Sequence, residues 1–469
     1  MISSSVPVKI ISGGFVVSGD DNGLAGFNNL VLKGELIIEI SKDISHLLRK
    51  YPSSSIIDAE GKVIMPAFFN AHYHPEAVIA RNFESNLPIS QWRSGILHKY
   101  EMVLNNQDEN FYENMYRAAF CAAVQNGIGG LAFGLIGNEA GVRGMYSALK
   151  GVGLVAAVFA SNDQQAAILR KMTERDLKRG CLLPFQKDIT LFGLSAVART
   201  VTQEIEWIFA HVDETPEDVA LMKSSFGKEM IPLMRKSNLL GPRTILLGLE
   251  NSFHQHLKLA ASSGSKAVII PSRHNVQSFR RVREIFGKYA VGSDWKSPGL
   301  FNQMRALLSF DVPASEALAA CTKNGVDIFN LSSRIGTIEP GMSAALTFID
   351  SRKFSARSFN KENSDGVLRT IIEDFDDSDV TDLIINGEFV YKERKILIYD
   401  MAELIKERDQ LTQNVSASLK AATVAEPAEE DGQGAVPPAV RENLPDVGDF
   451  QKILEKPGSV KRTFGDEDI

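Results

Sequence analysis

From about residue 66 to residue 335 the chain alternates short apolar runs with helical segments, and this alternation constrains the fold more than any other feature. "FYENMYRAAFCAAVQNG" leads into "IGGLAFGLIG", "YSALKGVG" into "LVAAVFAS", and "HQHLKLAASSG" into "KAVIIPS". A strand, a helix and a further strand close as a right-handed crossover, so repeated units of this kind build a parallel sheet. The period changes on either side. "VKIISGGFVVS", "LVLKGELIIEIS" and "SIIDAEGKVIMP" within residues 1–65, and "GMSAALTFID" and "VTDLIINGEFVYKERKIL" after residue 335, read as short strands joined by turns. Two distant β segments flanking one α/β region are most simply paired into a single small sandwich, assembled from residues 1–65 and 336–412.

Beyond about residue 413 the text becomes "NVSASLKAATVAEPAEEDGQGAVPPAV", too poor in large apolar residues to offset its ordering entropy. Residues 413–469 are therefore expected to form a flexible tail, with "DFQKILEK" as a candidate protein-docking patch and a simple solvated extension as the alternative. A net charge of -7 offers no basic excess to attract a phosphate backbone, and no apolar run is long enough to span a bilayer. Nucleic acid and membrane are thus poor partners. The N-terminus turns polar before a secretory core forms, and Cys121, Cys181 and Cys321 are too few and scattered for a disulfide framework. A reduced, cytoplasmic protein is expected, with homo-oligomerisation left open.

The chemistry concentrates in "VIMPAFFNAHYHPEAVIARNF", where an apolar run ends on His72 and His74. In a β-strand, residues two apart point to the same face, so two neutral nitrogen ligands can close on one ion. His211 and Glu214 follow in "WIFAHVDETPEDV", and Asp294 ends the apolar run in "YAVGSDWKSPG". Three imidazoles and a carboxylate at the ends of strand-like segments suit a zinc or iron centre at the mouth of a parallel barrel. An HxH pair alone is commonly an accident of packing; the ordered set is more demanding.

These segments, together with "IDAEGKVIMPAFFNAHYH", "ARNFESNLPISQW", "LLGPRTILL", "GTIEPGMSAALTFID" and "LIINGEFVY", resemble the amidohydrolase superfamily, in particular its cytosine deaminase, guanine deaminase and triazine chlorohydrolase branch. The resemblance implies an α/β fold, a distorted (β/α)8 TIM barrel over residues 66–335 beside a sandwich made from both chain ends. It implies His72 and His74 as ligands from the first barrel strand, His211 from the fifth and Asp294 from the eighth, around one divalent metal ion, zinc before iron. Asp294 would also accept a proton from the attacking water, and Glu214 would protonate the leaving group. The implied activity is hydrolytic attack by metal-bound hydroxide on an sp2 carbon of a small nitrogen-containing molecule, in a deaminase or cyclic-amide reaction.

The chain departs from that pattern at two polar positions. Gly248 stands where the branch keeps a further His, and Ala196 where it keeps one that touches substrate, with Arg199 nearby. Glu250, two residues beyond Gly248, or His254 or His274 could move into the gap; the alternatives are solvated or capping side chains. Arg81 and Trp92, on a segment expected to overlie the pocket, are further candidate substrate contacts, with loop packing as the alternative reading. Without compensation, loss of one preorganised polar group typically costs about 10² to 10³ in rate. A catalytically weak barrel that binds a ligand or protein is accordingly the rival reading.

Overall fold

Eight short strands form a parallel sheet in which each bonds to the next in chain order: β1 (Phe68–Asn70), β2 (Ile128–Gly134), β3 (Val155–Ala160), β4 (Leu177–Leu182), β5 (Trp207–Val212), β6 (Thr244–Gly248), β7 (Lys266–Ile269) and β8 (Tyr289–Val291). The computed structural model describes residues 6–424 except 21–22, 24, 81–97, 202–205, 296, 332–334 and 354–363. Apolar residues on consecutive positions, as in the wholly buried "VAAVFA" of β3, are what a strand covered on both faces requires. The covering helices start and stop at local signals. Asp108 caps Glu109–Gln125 through the amide of Phe111, and a Thr215/Asp218 capping box opens Pro216–Phe226, which Gly227 ends in a left-handed conformation. The stripe Phe111, Met115, Tyr116, Ala119 and Phe120 packs inward, as its helical spacing predicts.

The sheet closes into a ring between β1 and β8. Ala71 donates to the Val291 carbonyl at 2.9 Å, and the His72 carbonyl accepts from the amides of Ser293 at 2.9 Å and Asp294 at 3.0 Å. Tyr73 and Asp294 then form an isolated parallel bridge. This approach leaves no room at Gly292, where a Cβ would lie 2.7 Å from the His72 Cβ and 2.8 Å from its carbonyl oxygen.

The expected sandwich is present. Val8–Ser12, Asn29–Lys33, Leu36–Ser41 and Ser55–Asp58 make a four-stranded sheet; a seven-stranded one joins Phe15–Val17 and Lys62–Pro66 to Leu346–Asp350 and Val380–Ile385 from the other end of the chain. Ile64 lies opposite Phe348 in that second sheet, and Ile11, Leu30 and Leu32 meet Val16, Leu346 and Ile384 between the two. The boundary expected at residue 412 falls inside a helix, Met401–Val424. Leu411, Val415 and Leu419, spaced by four residues, are buried along it, so an apolar stripe continues past the point where the average composition turns polar. The "DFQKILEK" patch lies outside the described residues. Among the described residues no helix is long and apolar enough to cross a membrane.

Because the added methyl group would meet backbone and Cβ atoms rather than a flexible side-chain end, Gly292→Ala is expected to destabilise the protein by about 1–3 kcal/mol. Urea unfolding checks this; an unchanged midpoint would contradict the tight closure.

Candidate metal centre

His72 and His74 lie just past the end of β1, and the bonds that Tyr73 makes to Ala132 of β2 and in the bridge to Asp294 hold this segment between its neighbours. The two rings therefore share the barrel mouth, although the strand itself ends at Asn70. His211 sits within β5, and Asp294 follows β8 with a φ of 60°. Gly248 (φ 97°), Leu249 (φ 71°) and Asp213 (φ 51°) adopt positive φ on the same rim. Such conformations persist only where surrounding bonds impose them. For Asp213 those bonds come from Gln186 at 3.1 Å and Ser252 at 2.6 Å.

The four side chains converge. His72 Nε2 lies 3.1 Å from His74 Nε2, and Asp294 Oδ1 lies 3.4 Å from each of them. Ligand atoms of His72, His74 and His211 all fall within 4.8 Å of one another. A tetrahedral ion with bonds of about 2.0–2.1 Å has ligand–ligand edges of roughly 3.3 Å, so the closer distances suit one small divalent cation. The donor chemistry also fits: three imidazoles and one carboxylate, with His72, His211 and Asp294 buried.

Two carboxylates orient the imidazoles. His74 Nδ1 is 2.9 Å from Glu76 Oε1, and His211 Nδ1 is 2.9 Å from Glu214 Oε2. An Nδ1–H donated to a carboxylate leaves the Nε2 lone pair for a metal, an arrangement typical of histidine ligands. Phe209 stacks on His72 at 5.2 Å and Trp295 on His74 at 4.5 Å between ring centres. Asn70 ties the two chain segments together, donating to Ser293 Oγ and the Pro298 carbonyl at 2.8 Å while accepting from the His72 and Ser293 amides at 3.2 Å.

Burial pushes His72 down to about 3, against the pull of Asp294, so its ring is neutral at physiological pH. Burial opposes a charge on His74 too, but Glu76 and Asp294 outweigh it and raise that ring to about 9 in the metal-free protein. Burial likewise opposes ionisation of Asp294, yet Arg273, followed by the two imidazoles, holds it well below the usual carboxylate range. His274 is pushed down to about 4, chiefly by burial.

Arg273 was not singled out from sequence. It ends a single turn of 3-10 helix, Pro271–Arg273, directly after β7. Its Nη1 donates to Glu214 Oε1 at 2.8 Å and its Nη2 to Asp294 Oδ2, so one guanidinium spans the two residues expected to carry protons. Glu76, two residues after His74 in "HYHPE", was also missed; its closeness to the motif was the available signal.

The Gly248 position holds no gap. A Cβ there would lie 2.4 Å from Glu214 Cγ and 2.9 Å from Glu250 Oε2, so the Glu214 side chain takes the space that a larger residue would need. β6 ends at Gly248, which removes the expected shared strand face from Glu250, although its carboxylate still comes close. His274 turns toward structure: Nε2 lies 3.1 Å from the Gly248 carbonyl and Nδ1 3.2 Å from Ser278 Oγ. His254 starts the helix His254–Ser262. Arg199 is exposed on Leu191–Thr200 with its guanidinium over Phe192, while Ala196 lies on the same helix. Arg81 and Trp92 lie outside the described residues.

Fold and site together define a parallel barrel with a histidine–carboxylate centre at its mouth. The amidohydrolase family matches residues 63–390, and the chain belongs to that family. It is 22% identical over 441 residues, 86% of this chain and 98% of the relative, to 5-methylthioadenosine/S-adenosylhomocysteine deaminase from Pyrococcus abyssi. A 5'-deoxyadenosine deaminase from Methanosarcina mazei is 19% identical, covering 83% and 95% of the two chains. Among solved structures, an adenosine deaminase from Xanthomonas campestris with bound zinc superposes with a TM-score of 0.77 at 17% identity, covering 87% of this chain and 98% of that one. The zinc complex of atrazine chlorohydrolase from Arthrobacter aurescens gives 0.73 at 14% identity, covering 86% and 100%.

A ring raised to about 9 is protonated at pH 7.5 and must lose that proton before its nitrogen can serve as a ligand. Zinc binding at pH 7.5 should therefore release about one proton per ion from His74, in addition to any lost by a metal-bound water. Calorimetry in buffers of different ionisation enthalpy measures this, and the His74 contribution should disappear above pH 10, leaving only what a metal-bound water releases. No release at pH 7.5 would contradict the charge assigned to His74.

Proposed function

We propose that this chain is a metal-dependent hydrolase of the deaminase type, acting on a small nitrogen-containing molecule. The observation that carries the reading is the meeting of His72, His74, His211 and Asp294, with the Nδ1 atoms of His74 and His211 turned back onto Glu76 and Glu214. In this reading those four side chains hold one divalent ion, with zinc the first candidate. When bound there, such an ion supplies Lewis-acid chemistry that brings the pKa of water to about 7.

The remaining work belongs to the protein's own groups. Asp294 accepts the proton of the attacking water, and Glu214 carries a proton to the leaving nitrogen. Both carboxylates lie within reach of one site because β5 and β8 end on the same rim. Arg273 keeps them apart in charge, so neither must be protonated merely to relieve repulsion between buried acids. Stacking of Phe209 and Trp295 on the imidazoles restricts their rotation and water access. The relatives named above deaminate adenosine derivatives, which makes a ring amino group on an adenine-like heterocycle the first substrate class to assay. A reducing, cytoplasmic setting is proposed from the buried, free thiols of Cys121, Cys181 and Cys321.

Ammonia release should be assayed over adenosine derivatives, other purines, pyrimidines, pterins and cyclic amides, with zinc content measured in parallel. Glu214→Gln is expected to retain zinc and lose about 10² to 10⁴ in rate, because an amide can still meet His211 but cannot carry the proton. His211→Ala should lose the zinc itself. Full turnover by Glu214→Gln would remove the proton-transfer role, and turnover by a zinc-free protein would remove the proposed chemistry.

A further inference from the structure

Arg273 joins the two acids of the centre from the side away from the imidazoles. Asp294 turns Oδ1 toward His72 and His74 and Oδ2 toward Arg273, so a cation held among the imidazoles would share one carboxylate with a guanidinium. The acids are almost inaccessible, with side-chain exposures of 1% for Glu214 and 7% for Asp294, whereas Arg273 retains 22%. The arginine is also held in place from behind. Its amide donates to the Ile270 carbonyl at 2.8 Å, and buried Gln303 clamps the preceding Ser272 through its amide at 3.0 Å and its hydroxyl at 3.2 Å. The bare Gly248 lets the Glu214 side chain lie where Arg273 reaches it.

From this geometry we infer that Arg273 is a resident counter-ion that limits how tightly the centre holds its metal; the inference rests on the metal reading above. Without the ion, the guanidinium balances two carboxylates that would otherwise be left buried together, which favours the metal-free fold. With the ion present, the same fixed charge opposes a divalent cation across a single carboxylate. Both effects weaken binding, and they predict opposite changes in two measurable quantities when the charge is removed.

The experiment uses the full chain stripped with a chelator, in wild-type form and as Arg273→Met and Arg273→Lys. Zinc affinity is read by competition with a chromophoric chelator, and thermal midpoints are read with and without zinc. The Met variant should bind zinc about tenfold more tightly or better, because one opposing charge is gone from a poorly hydrated site. Its stripped form should melt lower than wild type, and the rise in midpoint on adding zinc should be larger. The Lys variant, which keeps the charge, should stay within about threefold of wild type in zinc affinity. Arg273→Gln, which keeps a donor but not the charge, takes the place of the Met variant should that one fail to fold, and should also bind more tightly. Equal or weaker zinc binding by the neutral variants would overturn the counter-ion role and leave Arg273 as an orienting group for Asp294. If neither wild type nor variants take up zinc, and His211→Ala behaves identically, the metal reading falls and this inference falls with it.

Discussion

The centre depends on how the eight-stranded ring closes. The His72 carbonyl accepts two amides, from Ser293 and Asp294, and that junction brings the first and last strands of the barrel together at the point where their polar side chains emerge. His72 and Asp294 are more than two hundred residues apart in the chain, yet their relative placement follows from backbone bonds rather than from a flexible loop. Gly292 allows the approach, and Asn70 locks it with four hydrogen bonds spread over both segments. Side chains anchored on a bonded backbone junction, and oriented by their own hydrogen bonds, have less freedom to lose on meeting an ion, which is the physical content of preorganisation.

Charge balance organises everything around that junction. Glu76, Glu214 and Asp294 are all buried, and burial of unpaired carboxylates is costly. Each has a cationic or hydrogen-bonding partner: His74 for Glu76, His211 and Arg273 for Glu214, Arg273 and the imidazoles for Asp294. At Gly248, where the family resemblance led to the expectation of a gap, the Glu214 side chain fills the space and Arg273 joins the network.

Strands and helices were legible because burial on both faces demands unbroken apolar runs, and crossover helices demand a stripe. The imidazole set and Asp294 were legible because each ends such a run. Arg273 was not, since in "PSRHN" only the path of one 3-10 turn decides that the arginine faces the mouth while His274 turns to the Gly248 carbonyl. For Glu250 the strand-face argument does not apply, since β6 ends at Gly248, yet its carboxylate still lies beside that position. The helix Met401–Val424 was obscured by averaging composition across a segment whose first part still carries an apolar stripe.

X-ray absorption at the zinc edge of the loaded protein tests the central claim most directly. The account predicts one ion per chain with a shell of nitrogen and oxygen at about 2.0–2.1 Å and the outer scattering of about three imidazoles. A shell containing sulfur, or one without imidazole scattering, would contradict the centre described here.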